Sequence, residues 1–110
     1  MRDLPEAYLR GAALFNAGKF FECHDAWEEI WLKAEGEERE FLHAMIQAAA
    51  ALHHFQQGNL KGAKSVGGRA IEKLNVLPSV MMQLDTCAFR AALGQYLSVA
   101  NAPLPDVKLF

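Results

Sequence analysis

The 110-residue chain is short of almost everything that announces a function. It has two cysteines, Cys23 and Cys87, without the CxxC spacing of a zinc or redox site and too far apart in sequence to define a disulfide framework. They read as small buried hydrophobes of a reducing compartment. No basic segment followed by an apolar one opens the chain, and its longest apolar run, residues 44–55, is broken by Gln47, His53 and His54 and falls short of the roughly 20 residues a membrane span needs. The expectation is a soluble, cytoplasmic protein that does not engage the membrane. No serine or cysteine stands beside a histidine and an acid in a recognisable nucleophile arrangement, and Gly58, Gly62, Gly67 and Gly68 do not form a phosphate loop after a strand. Triad hydrolysis and nucleotide binding are therefore poor readings, and no motif calls for a cofactor.

A positive excess is missing too. The net charge is −2, and the charges are segregated: Glu22, Asp25, Glu28, Glu29, Glu35, Glu37, Glu38 and Glu40 dominate one segment, whereas Lys61, Lys64, Arg69 and Lys73 make a later one basic. That pattern gives no surface-wide field for nucleic acid. It fits either solvated helix faces that attract each other weakly across the fold or a docking surface for a charged partner.

What is present is helical periodicity and enough apolar residues for one core: 52% of the chain. Five helices are expected. The first runs from about Pro5, suited to an early helix position, to Ala17, with Gly18 as the stop. The second spans about Phe20 to Ala34 and ends at Gly36. The third begins at Glu37, Glu38 and Glu40, whose charges suit a helix N-terminus, and is alanine-rich and central. Asn59 is the N-cap of a fourth reaching about Val76, in which a glycine on the packed face implies close approach of a neighbouring helix. A fifth covers Asp85 to Ala100. No strand pattern is evident. Residues 1–100 read as a single helical domain, and 101–110, with Pro103 and Pro105, as an extended tail that Leu104, Val107, Leu109 and Phe110 could fold back onto the body.

An internal repeat at an offset of 40 residues aligns Phe15 with Phe55, Gly18 with Gly58, Phe20 with Leu60, Cys23 with Ala63 and Ile30 with Ala70. The fold class expected is all-α, with two stacked antiparallel hairpins of tetratricopeptide-like turn and a C-terminal helix as cap.

The segments GKFFECHDAWEEIW, GEEREFLHAMIQAAAALHH and GNLKGA resemble a small prokaryotic family, the domain of unknown function 309. Its pattern F-E-x-H-[DE]-x-x-E-x-x-W falls on Phe21, Glu22, His24, Asp25, Glu28 and Trp31, and Gln47, His53, Gly58, Asn59, Gly62 and Ala63 match the rest. The resemblance covers roughly residues 8–98. It implies a compact all-helical domain and brings no activity with it.

On a helical wheel Phe20, His24, Trp27 and Trp31 share one side of the second helix, with Glu28 at its border and Glu22, Asp25 and Glu29 opposite or on the flank; Leu42, Ile46, Ala49 and His53 form one stripe of the third helix, and His43, Gln47, Ala50 and His54 the adjacent one. Three readings stay open. Glu28 with His24, Gln47 and one of His53 or His54 forms a buried polar network tying the hairpins together. Or Trp27 and Trp31 line a small-molecule pocket with these polar groups at its base. Or His24, Glu28 and His53 supply three metal ligands. The metal reading lacks the usual signatures: no H-E-x-x-H is present, and only Glu40 and His43 have the E-x-x-H spacing of a di-iron protein. Both tryptophans can be core, Trp31 more so than Trp27, which could face a groove or a dimer surface. The function expected is a binding or assembly module for a small-molecule or peptide ligand, as a monomer or homo-oligomer. The competing class is a small metal-dependent or acid–base, hydrolase-like enzyme acting through His24 and Glu28.

Overall fold

A computed structural model describes residues 3–110, so the first two residues of the expected domain lie outside it. The order of elements is α1 (Glu6–Asn16), α2 (Phe20–Trp31), α3 (Gly36–Gln56), α4 (Leu60–Asn75), β1 (Val80–Met81), β2 (Leu84–Asp85) and α5 (Thr86–Ser98). The fold is all-α, with five helices among the described residues where five were expected. α1 packs on α2, α2 on α3, α3 on α4 and α4 on α5, so the molecule is two antiparallel hairpins side by side with α5 closing the second. At about 1.5 Å per residue, the 21 residues of α3 extend about 31 Å. That is most of the 39 Å long axis, and explains why α3 contributes nine buried side chains to the core.

The repeat is real at the level of backbone. Gly18 and Gly58 have φ of 78° and 77°, the left-handed conformation that a side chain disfavours. Each closes its hairpin with the same pair of bonds: Gly18 N–H to Phe15 O and Lys19 N–H to Leu14 O in the first, Gly58 N–H to Phe55 O and Asn59 N–H to His54 O in the second. Asn59 caps α4, its side chain accepting from Gly62 N–H at 2.9 Å, and Asp85 caps α5 through Ala88 N–H. The expected close approach also occurs, because Gly67 faces Leu97 of α5 and Ala51 of α3, and a Cβ there would fall 2.3 Å from a terminal methyl of Leu97.

Two features depart from expectation. A two-strand hairpin interrupts the link to α5, pairing Val80 with Asp85 and Met81 with Leu84. Its turn residues Met82 and Gln83 have φ of 45° and 63°. Such a turn normally advertises itself through glycine or asparagine, and neither is present. The tail returns onto the body through more than apolar contact. Asn16 grips both backbone groups of Val107, donating to its carbonyl at 2.9 Å and accepting from its N–H at 2.8 Å. Leu109 bridges to Leu84, and Phe110 N–H donates to Gln83 O.

Candidate functional site

The two tryptophans exchange the roles expected of them. Trp27 is fully buried; its indole Nε1 donates to Tyr8 O at 3.1 Å and its ring lies against Phe15 and Tyr8. Gly11 of α1 makes room for it, since a Cβ there would fall 2.1 Å from Nε1. Trp31, one turn on, is only half-buried, stacked on the His43 ring at a centroid distance of 5.4 Å with the Arg39 guanidinium 4.6 Å from its centroid. Arg39 also donates to Trp31 O and Ala34 O, satisfying carbonyls at the C-terminal end of α2.

Trp31 therefore belongs to a row of half-open side chains rather than to the core. Phe21, His24, Glu28 and Trp31 follow one another at helical spacing along α2; His43, Gln47, Ala50 and His54 do the same along α3, with His53 beside them. Two ring contacts, Phe21 with His53 at 5.6 Å and Trp31 with His43, fix the antiparallel register of the rows. That register sets Ala50 level with His24, and Gln47 level with Trp27 and next to Glu28. The two rows thus face each other along the α2–α3 groove at the seam between the hairpins, which deepens into a cavity only at its Phe21–His53 end.

His24 Nδ1 lies 3.4 Å from Glu28 Oε2 and 3.5 Å from Asp25 Oδ1, with the side chains of His24 and Glu28 34% and 43% exposed. Asp25 is thus a member of this cluster that the wheel had assigned to the flank of α2; the flexible side chain brings its carboxylate round. The remaining candidates do not join it by hydrogen bonds. Gln47 Oε1 is buried without a partner, His54 Nδ1 lies 3.4 Å from the Asn59 amide, and His53 rests against Phe21. His24, His53 and His54 share instead a cavity of about 180 Å³ lined also by Phe20, Phe21 and Ala50, whereas Gln47 and Glu28 do not line it.

His43 is the imidazole whose ionisation this environment perturbs: burial lowers its pKa and Lys73 adds to that, against the opposing pull of Glu40. Glu40 itself accepts from Lys73 Nζ at 2.7 Å, and its pKa is lowered by that bond. Deep in the first hairpin, burial drives the Tyr8 phenol and the Cys23 thiol well above their ordinary values, so neither ionises at neutral pH.

The sequence model of a domain of unknown function, DUF309, matches residues 8–66, which hold α1, α2, α3 and the start of α4 with the whole groove. The chain belongs to the DUF309 family. It is 35% identical to the uncharacterized protein YpuF of Bacillus subtilis over 96% of its own length and 68% of that protein. It is 29% identical to an uncharacterized protein of Aquifex aeolicus over 81% of this chain, and spans only 28% of that longer protein. A conserved hypothetical protein of Thermus thermophilus, solved by crystallography, superposes with a TM-score of 0.76 at 32% identity, covering 88% of this chain and all of that one. The chain thus matches the full length of the Thermus structure but little more than a quarter of the Aquifex protein.

Proposed function

We propose that this DUF309 domain is a binding module whose α2–α3 groove receives a segment of a partner protein, one apolar side chain of which fills the cavity between Phe21, His24 and His53. The observation that carries this reading is the size and chemistry of that cavity. At about 180 Å³ it is smaller than the roughly 300–1,000 Å³ of sites that enclose small molecules, and suits a single side chain. Its walls are two phenylalanines and an alanine with imidazoles at the rim, the mixture of apolar surface and a few polar groups that fixes an inserted residue in one orientation. Phe21, 56% exposed at the mouth, is apolar surface available to the partner. A larger hollow of about 490 Å³ between α4, α5 and the tail has Lys64 on its wall but no acid or imidazole.

The half-exposed His24 and Glu28 favour binding over a buried network, because water already satisfies them without a partner across the groove. The test is a selection of random peptides displayed against the purified domain in the presence of chelator, repeated with Ala50→Met, which fills the cavity from its half-buried wall. Enriched peptides should share an aliphatic or aromatic anchor and bind the variant at least tenfold more weakly at unchanged melting temperature. Absence of enrichment, or peptides indifferent to Ala50→Met, overturns the reading.

A further inference from the structure

We infer that the hollow of about 490 Å³ between α4, α5 and the tail is a binding site for an amphipathic monocarboxylate, an arylalkyl or medium-chain acid whose charge pairs with Lys64. The duplication of the hairpin carries the argument. Phe20 and His24 of α2 line the small cavity of the first hairpin; Leu60 and Lys64 of α4, 40 residues on, line the hollow of the second. The opposite wall comes in each case from the next helix along the chain, α3 through Ala50 and His53, and α5 through Tyr96 and Leu97. The two openings are therefore counterparts, and they differ in how far the chain's own side chains fill them. In the first, Phe15 meets Phe20 at 5.0 Å and Phe89 at 5.6 Å, and Phe20 is 3% exposed. In the second, Phe55 meets Tyr96 at 5.0 Å, but a leucine stands at position 60 where the first has a ring, and it is 52% exposed. A place that the first hairpin closes with an aromatic side chain is open in the second.

Size and charge say what fits there. The volume lies within the roughly 300–1,000 Å³ of sites that take small molecules, which the cavity between Phe21 and His53 does not reach. Lys64 is the one charged residue on the lining. Among the described residues its ammonium has no ion pair, whereas Lys73 of the same helix is held by Glu40, so an incoming anion displaces no carboxylate. A single ammonium matches a single negative charge; a phosphate dianion calls for more donors than one lysine supplies. The side chains of Phe55, Leu60, Tyr96, Leu97 and Val99 around it suit an acid with an apolar body rather than a sugar or a nucleotide.

The full chain, labelled with ¹⁵N, is titrated at neutral pH with sodium 4-phenylbutyrate and with sodium octanoate, each to 5 mM, and followed by its amide spectra. Saturable shifts are expected in residues 60–64 and 96–102. The neutral 4-phenylbutanamide, of the same shape as the first acid, should bind about threefold or more weakly. Lys64→Met keeps the apolar stem of an exposed side chain, and should bring the acid down to the affinity of the amide at unchanged melting temperature. Arg69→Met, exposed on the same helix but off the lining, should leave the acid's affinity as it was. No saturable shift with either acid, equal affinity for acid and amide, or shifts confined to the Phe21–His53 cavity overturns the proposal. The hollow shares no residue with the α2–α3 groove, so its failure is separate from that of the docking reading.

Discussion

The two hairpins share a turn and differ in almost everything packed between their helices. In the first, Tyr8, Phe15, Phe20 and Trp27 fill the space with rings, and α1 and α2 are 11 and 12 residues long. In the second, helices of 21 and 16 residues meet over Ala44, Ala48, Ala51, Ala63, Gly67 and Ala70, and α5 supplies the bulk that these small residues lack. Positions equated by the repeat show where the halves part. Cys23 and Ala63 are both fully buried where the crossing helices touch, but Phe20 is 3% exposed and its counterpart Leu60 is 52% exposed. Asn16 and Gln56 also occupy equivalent places with different duties: Asn16 fastens the C-terminal tail, whereas Gln56 donates to Gly18 O and fastens the first turn. A repeated turn thus dictates the path of the chain, and the side chains within each hairpin decide what can lie alongside. The groove forms where the ring-filled hairpin meets the alanine-rich one.

The sharpest way to break the first hairpin without touching the second is Trp27→Ala. The indole is fully buried and bonded to Tyr8 O, so truncation removes a large apolar surface and leaves a cavity among the neighbouring aromatic rings. The expected loss is about 3–5 kcal/mol, read by urea denaturation. A loss below about 1 kcal/mol would mean that the hairpin does not rest on this ring.

The next contrast sets one glycine of each hairpin against the other. Alanine is favoured over glycine in a helix by about 1 kcal/mol, so both Gly11→Ala and Gly67→Ala begin with a gain. At Gly11 the new methyl meets a rigid indole at 2.1–2.7 Å, in a ring that cannot retreat from its buried bond. The overpacking costs about 1–3 kcal/mol and outweighs the gain. At Gly67 the closest atom is a terminal methyl of Leu97 at 2.3 Å, the movable end of a flexible side chain, and Ala51 Cβ stands at a tolerable 3.4 Å. There the two effects nearly cancel, and the change is expected within about 1 kcal/mol of zero. Equal destabilisation of the two variants would show that helix approach, rather than what lies opposite the glycine, sets the outcome.

The backbone architecture was legible in the sequence because its signals are local: Gly18 and Gly58 mark the turns, Asn59 the cap and the 40-residue offset the duplication. The burial order of Trp27 and Trp31 was not, because both lie on one side of α2 and the choice depends on Gly11, a residue of the preceding helix whose missing side chain opens the slot. The convergence of Asp25 on His24 was hidden by the wheel, which places side chains by their Cβ direction and ignores how far a carboxylate can swing. The register of the groove came from the contacts Phe21–His53 and Trp31–His43 across two helices, and no local pattern carries that information. The β-hairpin went unseen because Met82 and Gln83 take left-handed conformations without the residues that normally mark them.

The smallest effect, and the one that reports on the joint between the halves, concerns His43. Its ring belongs to α3 of the second hairpin and stacks on Trp31 of the first; burial and the nearby Lys73 and Arg39 hold its pKa below the ordinary 6.5, with Glu40 opposing. The unfolded chain therefore binds this proton more readily than the folded one. His43 leaves stability intact above about pH 6.5, and destabilises the fold progressively as pH falls from there through its lowered folded-state value. Between about pH 7.5 and 5.5 the wild-type protein is expected to lose more melting temperature than His43→Gln, and its Trp31 emission to change over the same interval, because the stacked ring acquires a charge. Superimposable pH profiles for the two proteins would show that the imidazole is paired or hydrated equally well in both states. The joint would then rest on contacts that do not titrate near neutrality, chiefly Arg39 over the Trp31 ring and its bonds to Trp31 O and Ala34 O.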